Sequence, residues 1–339
     1  MHSDTRHDAG FSLGEAMLAL ALTLIVLSAA VETMGRSMSL ATTSRVISST
    51  NHGLQAAMSM MVRDIMQTGQ GIPLGGIPLP TGGGVAAVSR PGPGAMTFPG
   101  GTEVLPALAP GNGLGPTLLG VATDIVTLLY ADRTLNLSQN TLDAIAADGS
   151  TMTVNVGTPI TGVGGIRAGD LILFSNDRGN ALQMVTEDPV DQTVLFDDTD
   201  PMGVNQRSAT SGSIMNLRDE NGLFPPTTAM RVVMVSYYVD TTTNPALPRL
   251  VRRVNMGDRL AIAMGVENLQ LTYDLVDGVT NPTNVEDVPF GNSANQLRKA
   301  NIFLLARSQD ENPQTGTFFR NSMATQVGLR SLSFVDRYQ

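Results

Sequence analysis

The chain begins with ten mostly polar and small residues, MHSDTRHDAG, and then turns apolar. From Phe11 to Val31 there are 21 residues with a single ionisable group, Glu15. At ~1.5 Å per residue this stretch makes about 30 Å of helix, the thickness of one hydrocarbon core. The pattern then changes without a break. Arg36 to Thr68 contains no Pro and one internal Gly, Gly53, while Leu54, Met58, Met61 and Ile65 recur at i, i+4, i+7 and i+11. That spacing predicts an amphipathic helix with one apolar stripe, off which lie Arg63, Asp64 and Gln67. Gly69, Gly71 and Pro73 supply the stop. One helix over 11–68 is expected, its half at 11–34 transmembrane and its half at 35–68 amphipathic.

The region 69–120 opposes both periodicities. Residues 70–120 hold 14 Gly and 9 Pro in 51 positions, with Arg90 and Glu103 the only charges. This reads as a long loop with short strands laid over a domain. From 121 to 339 the pattern is β. Candidate strands are Asp124–Tyr130, Thr151–Val156, Asp170–Ser175, Ala181–Thr186, Thr193–Phe196, Ser213–Leu217, Met230–Val239, Leu250–Val254, Val266–Asp274 and Ala300–Ala306. In LQLTYDL, Leu269, Leu271 and Tyr273 share one face. No second long helix is expected. The fold class is therefore α+β: one long N-terminal helix packed on a mainly antiparallel sheet.

Composition removes several functions. The net charge is −9 and Lys occurs once, at Lys299, which leaves no basic face for nucleic acid. There is no Cys, and the three His are His2, His7 and His52. The domain beyond thus lacks imidazole and thiol, so Ser–His–Asp chemistry and His-rich metal sites are not expected, and no enzyme activity or cofactor is assigned. The acidic group Glu187, Asp188, Asp191, Asp197, Asp198 and Asp200 offers oxygen ligands. Asp197, Asp198 and Asp200 are weak candidates for Ca²⁺, against a plainer reading as solvated turns without EF-hand spacing. GGGV at 82–85 lacks the Lys-Ser/Thr of a phosphate loop. The Met-rich stripe (Met58, Met60, Met61, Met66) reads as core rather than as a ligand groove. Arg252–Arg253 and Arg298–Lys299 read as strand-face charges.

A secretory signal would carry a basic start and a cleavage site after the apolar run. Here Arg6 is balanced by Asp4 and Asp8, and helix-forming sequence follows directly. The stretch Gly10-Phe11-Ser12-Leu13-Gly14-Glu15 before the apolar run instead resembles the cleavage and methylation signature of type IV prepilins and type II secretion pseudopilins. The resemblance implies cleavage between Gly10 and Phe11 by a prepilin peptidase, which also N-methylates Phe11. It implies that Glu15 pairs with the terminal amine of a neighbouring subunit. Such a pair would offset the burial of both charges. Ser12 stands in place of the usual Thr, and Gly14 in place of a larger apolar residue. Glu32 stands where major pilins often have Pro.

GDLILFSND (169–177), GVENLQLTYDL (265–275), NIFLLARSQ (301–309) and LRSLSFVDRY (329–338) look like the globular domain of PilW-type minor pilins, and MVRDIMQTGQ (61–70) like that family's helix end. The expected role is a non-catalytic subunit that enters or primes a type IV pilus. Its partners would be other minor and major pilins and the inner-membrane assembly platform. The expected place is the inner membrane, crossed once, with the C-terminal domain in the periplasm, and the pilus or cell surface after assembly. A minor pseudopilin of a type II secretion system, or an adhesin displayed on a pilin stem, are the alternatives.

Overall fold

A computed structural model describes residues 12–99, 103–132, 134–135, 137, 142–155, 160–276, 279–287, 296–312 and 315–332. Helix α1 runs unbroken over Leu13–Gln67, 55 residues. At 1.5 Å per residue that is a rod about 80 Å long. Every residue from Ser12 to Met38 is exposed, and burial begins only in the second half. Leu54, Met58, Met61 and Ile65 are all buried, so the stripe seen in the sequence is the face that packs on the sheet. Met60 is half-buried and Met66 is exposed, so only Met58 and Met61 of the methionine group enter the core. Thr68 caps the helix, and Gly69 follows at φ +81°, with Leu332 so close that a side chain there would collide with it.

Seven two-residue strands, β1 to β7, occupy the Gly/Pro-rich region and its C-terminal border: Ile77–Pro78, Ser89–Arg90, Met96–Thr97, Val104–Leu105, Leu108–Ala109, Thr117–Leu118 and Val121–Ala122. They form short antiparallel pairs, and β5 joins the main sheet. This region is not merely draped over the domain. Ile77, Leu79, Phe98, Leu105 and Leu108 are buried in the main core. Arg90 is buried too, donating to Thr127 Oγ1 at 3.2 Å and Ala109 O at 2.9 Å beside the Phe98 ring. Burial lowers its pKa to about 10.

Longer strands follow: β8 Val126–Ala131, β9 Leu142–Ile145, β10 Thr151–Val154, β11 Leu171–Asn176, β12 Gly179–Met184, β13 Thr193–Leu195, β14 Thr228–Asp240, β15 Arg249–Val254, β16 Arg259–Met264, β17 Val266–Leu275, β18 Leu297–Asn312 and β19 Thr317–Gly328. All their pairings are antiparallel. The main sheet runs β12-β11-β14-β15-β16, with the 13-residue β14 as its hub, also paired to β8. A second sheet runs β17-β18-β19, and a small one β13-β10-β9. Strand β11 is buried on both faces. Leu171 and Leu173 enter the core shared with α1, while Ile172 and Phe174 enter a second core covered by the small sheet.

The segment Ser213–Leu217, expected as a strand, is instead a 3₁₀ turn over Ile214–Leu217. Ser213 and Asn216 cap it reciprocally, which closes the backbone locally and leaves no ladder to offer. Strands β9, β16 and β19 fall outside the segments that the sequence pattern marks as strands. Of the C-terminal motif LRSLSFVDRY, residues beyond Leu332 lie outside the described residues.

Candidate functional site

The N-terminal head of α1 holds the residues that the sequence singles out. Gly10 and Phe11, the expected cleavage pair and methylated residue, lie outside the described residues. Glu15 is described, and its carboxylate is engaged by its own chain. Ser12 N donates to Glu15 Oε2 at 3.0 Å, Ser12 Oγ donates to the same oxygen at 3.1 Å, and Glu15 N donates to Ser12 Oγ at 3.3 Å. This is a capping box, which satisfies two of the N–H groups that any helix start leaves open. An acid in the first turn also meets the positive end of the helix dipole. Among the described residues no donor reaches the other oxygen, Oε1. Because the side chain is exposed, a positive group on a neighbouring molecule can reach it.

The exposed rod presents Leu13, Met17, Leu18, Leu20, Leu22, Leu24, Ile25, Val26, Leu27 and Val31 to its surroundings on all sides. A helix apolar all round is stable in lipid or among other apolar helices and unstable in water. Among the described residues one helix, α1, is therefore long and apolar enough to cross a membrane. Glu32 and Arg36 pair at 2.5 Å just past the run. Exposed Met34, Met38 and Leu40 extend its apolar surface beyond that pair.

At its other end α1 is locked to the sheet by a buried ion pair that the sequence pattern misplaced. Asp64 does not lie off the packed face; it is 2% exposed. Its Oδ2 accepts from Tyr237 Oη at 2.6 Å, on β14, and from Arg252 Nε at 2.7 Å, on β15. Arg252 is thus no simple strand-face charge. Burial, and then the carboxylate it donates to, raise the Tyr237 hydroxyl well above its ordinary range.

The acidic candidates Asp197, Asp198 and Asp200 sit together in the loop after β13, and each has at least one oxygen engaged by its own chain. Asp200 Oδ1 accepts the N–H of Met202, Gly203 and Val204 at 3.0, 2.6 and 3.2 Å, and Oδ2 that of Asn205 at 2.9 Å. Asp197 Oδ1 accepts from the N–H and hydroxyl of Thr199, and Asp198 pairs with Arg207 at 2.8 Å. The Asp200 carboxylate, with both oxygens taken by backbone N–H groups, organises its own loop. Among the described residues no group of three or more His, Asp or Glu is placed to hold a metal ion. His52 is an exposed residue of α1.

Comparison with protein-family models, with curated proteins and with solved structures finds no match for this chain.

Proposed function

We propose that the protein is a type IV pilin-like assembly subunit, of the PilW-type minor pilin kind, without catalysis of its own. The observation that carries this reading is the placement of Glu15. It is the single acid of the apolar run, it sits in the first turn of a rod bare on every side, and among the described residues its Oε1 has no donor. Such a group is costly in hydrocarbon unless a cation joins it, by about 2.5–3.5 kcal/mol at a helix centre and less nearer the interface. Cleavage after Gly10 by a prepilin peptidase would create that cation at Phe11. Supplied by a neighbour, the amine would pair with Glu15 and set the axial register between stacked helices. The bare rod would then have two habitats, the inner membrane before assembly and a bundle of like helices afterwards. The domain held on its second half would lie in the periplasm until then.

The test is Glu15→Ala in the full chain, followed in cells. The variant is expected to be processed and anchored normally and to be absent from sheared filaments and from co-purified pilin complexes. Normal incorporation contradicts the pairing.

A further inference from the structure

We propose that the free edge of β19 is a docking site for an extended β-strand contributed by a different protein. Of the other edges, β12 lies under β1 and the 214–217 turn, and β17 bonds Asp124 through Leu269 and Leu271 and bridges Val285 through Tyr273; β16 and β19 both pack against α1. Among the described residues β19 pairs only with β18. It is 12 residues long, TFFRNSMATQVG. Natural edges are guarded by Lys, Pro, inward charges or short length. This one has no Pro, no Lys and no acid. Its single charge, Arg320, is engaged by Glu267 at 2.7 Å.

The direction of the free groups follows from the register. Leu329 N donates to Arg298 O, so Asn321, Met323, Thr325 and Val327 turn their N–H groups towards β18. Arg320, Ser322, Ala324 and Gln326 turn theirs outwards, and all four are exposed. The Ser322 N–H is taken by the Asn321 side chain, and the row beyond it is left for a strand to pair with. The outer side chains Ser322, Ala324 and Gln326 are short or uncharged, which fits an uncharged partner strand.

The run of β19 along α1 argues against a second copy. Thr317 and Phe318 share a cavity with Thr43, Val46 and Ile47; Asn321 bonds Asn51; Leu332, just beyond the strand, meets Gly69. Strand and helix therefore point the same way. Two identical edges related by an exact two-fold can pair only antiparallel, because at equal heights parallel strands offer each other no complementary donors and acceptors. Antiparallel pairing would aim the two α1 rods in opposite directions, and both could not enter one membrane. The occupant is thus a strand of another chain on the same side of the membrane. This rests on the anchor and not on cleavage or filament assembly.

The experiment places the photo-cross-linker p-benzoylphenylalanine at Ala324 in the full-length protein, in its native membranes. A control carries it at the exposed Val163. The expected result is one discrete adduct from position 324, not from 163, with a mass other than twice that of the chain. Gln326→Pro removes an outward N–H, and its yield should fall about tenfold. Gln326→Lys, which leaves the backbone intact, should reduce it likewise. Absence of an adduct, an adduct of two copies, or a yield indifferent to both substitutions overturns the proposal. The N-terminal residue is read on the same sample. An uncleaved chain that still gives the adduct contradicts the pilin reading and leaves this one standing.

Discussion

Asp64 on the helix and Arg252 on β15 form an ion pair at 2.7 Å, with side chains 3% and 17% exposed, across 188 residues of chain. Hydrophobic packing would let a rod slide by a turn along a sheet, since one apolar stripe resembles the next. A buried charge pair tolerates no such slip, because each partner displaced would be left charged and unsolvated. The pair fixes how far the bare half of α1 projects from the domain.

Removing one member should therefore cost more than removing a surface pair. Arg252→Met and Asp64→Ala are each expected to destabilise the β-rich domain by about 3–5 kcal/mol, and Tyr237→Phe by about 1–2 kcal/mol. Denaturant unfolding of residues 36–339 measures this. Losses within error of zero would show that the pair is not closed in solution.

Acid should loosen the β14–β15 hairpin. Burial would raise the Asp240 pKa, but the Thr242 hydroxyl and N–H, Arg249 and the Thr243 hydroxyl outweigh it and hold it down to about 2, against an ordinary 3.8. With the folded pKa the lower, the stabilisation is complete above 3.8 and fades as pH falls towards about 2. Asp240→Asn should flatten the stability curve across that window and leave its slope above it unchanged. An unaltered acid slope would refute the assignment.

The two sides of the helix stripe should respond differently. Met61 is 0% exposed in the core shared with the sheet, and Met66 is 60% exposed. Met61→Ala is expected to cost about 2–5 kcal/mol and Met66→Ala less than about 0.5 kcal/mol. Thermal unfolding of the two variants in parallel checks this, and equal losses would contradict the packing.

Much of this architecture is legible in the sequence, where local pattern and final environment agree. The rod is written in an unbroken apolar run and a period of 3.6, and the inner face of β17 in the alternation of Leu269, Leu271 and Tyr273, all three buried. Legibility fails where the environment is made by distant chain. Asp64 reads as a solvent-facing acid until Tyr237 and Arg252 arrive from 173 and 188 residues away. Strand β19 carries little sequence signal because one of its faces meets water and its half-buried positions Asn321, Met323 and Thr325 include two polar ones. The 214–217 turn looked like a strand by composition, although Ser213 and Asn216 are spaced as a cap. Asp197, Asp198 and Asp200 read as a carboxylate cluster, and the backbone N–H groups that take both oxygens of Asp200 carry no sequence signal. At the N-terminal head, the cap of Ser12 on Glu15 is local and readable.

The most direct test of the central claim is the intact mass of the protein recovered from membranes, with its first residue identified by fragmentation. A chain that begins with N-methylphenylalanine at Phe11 is the predicted result. A chain that still begins at Met1, or one trimmed beyond Val31, would leave Glu15 without the amine on which the assembly reading depends.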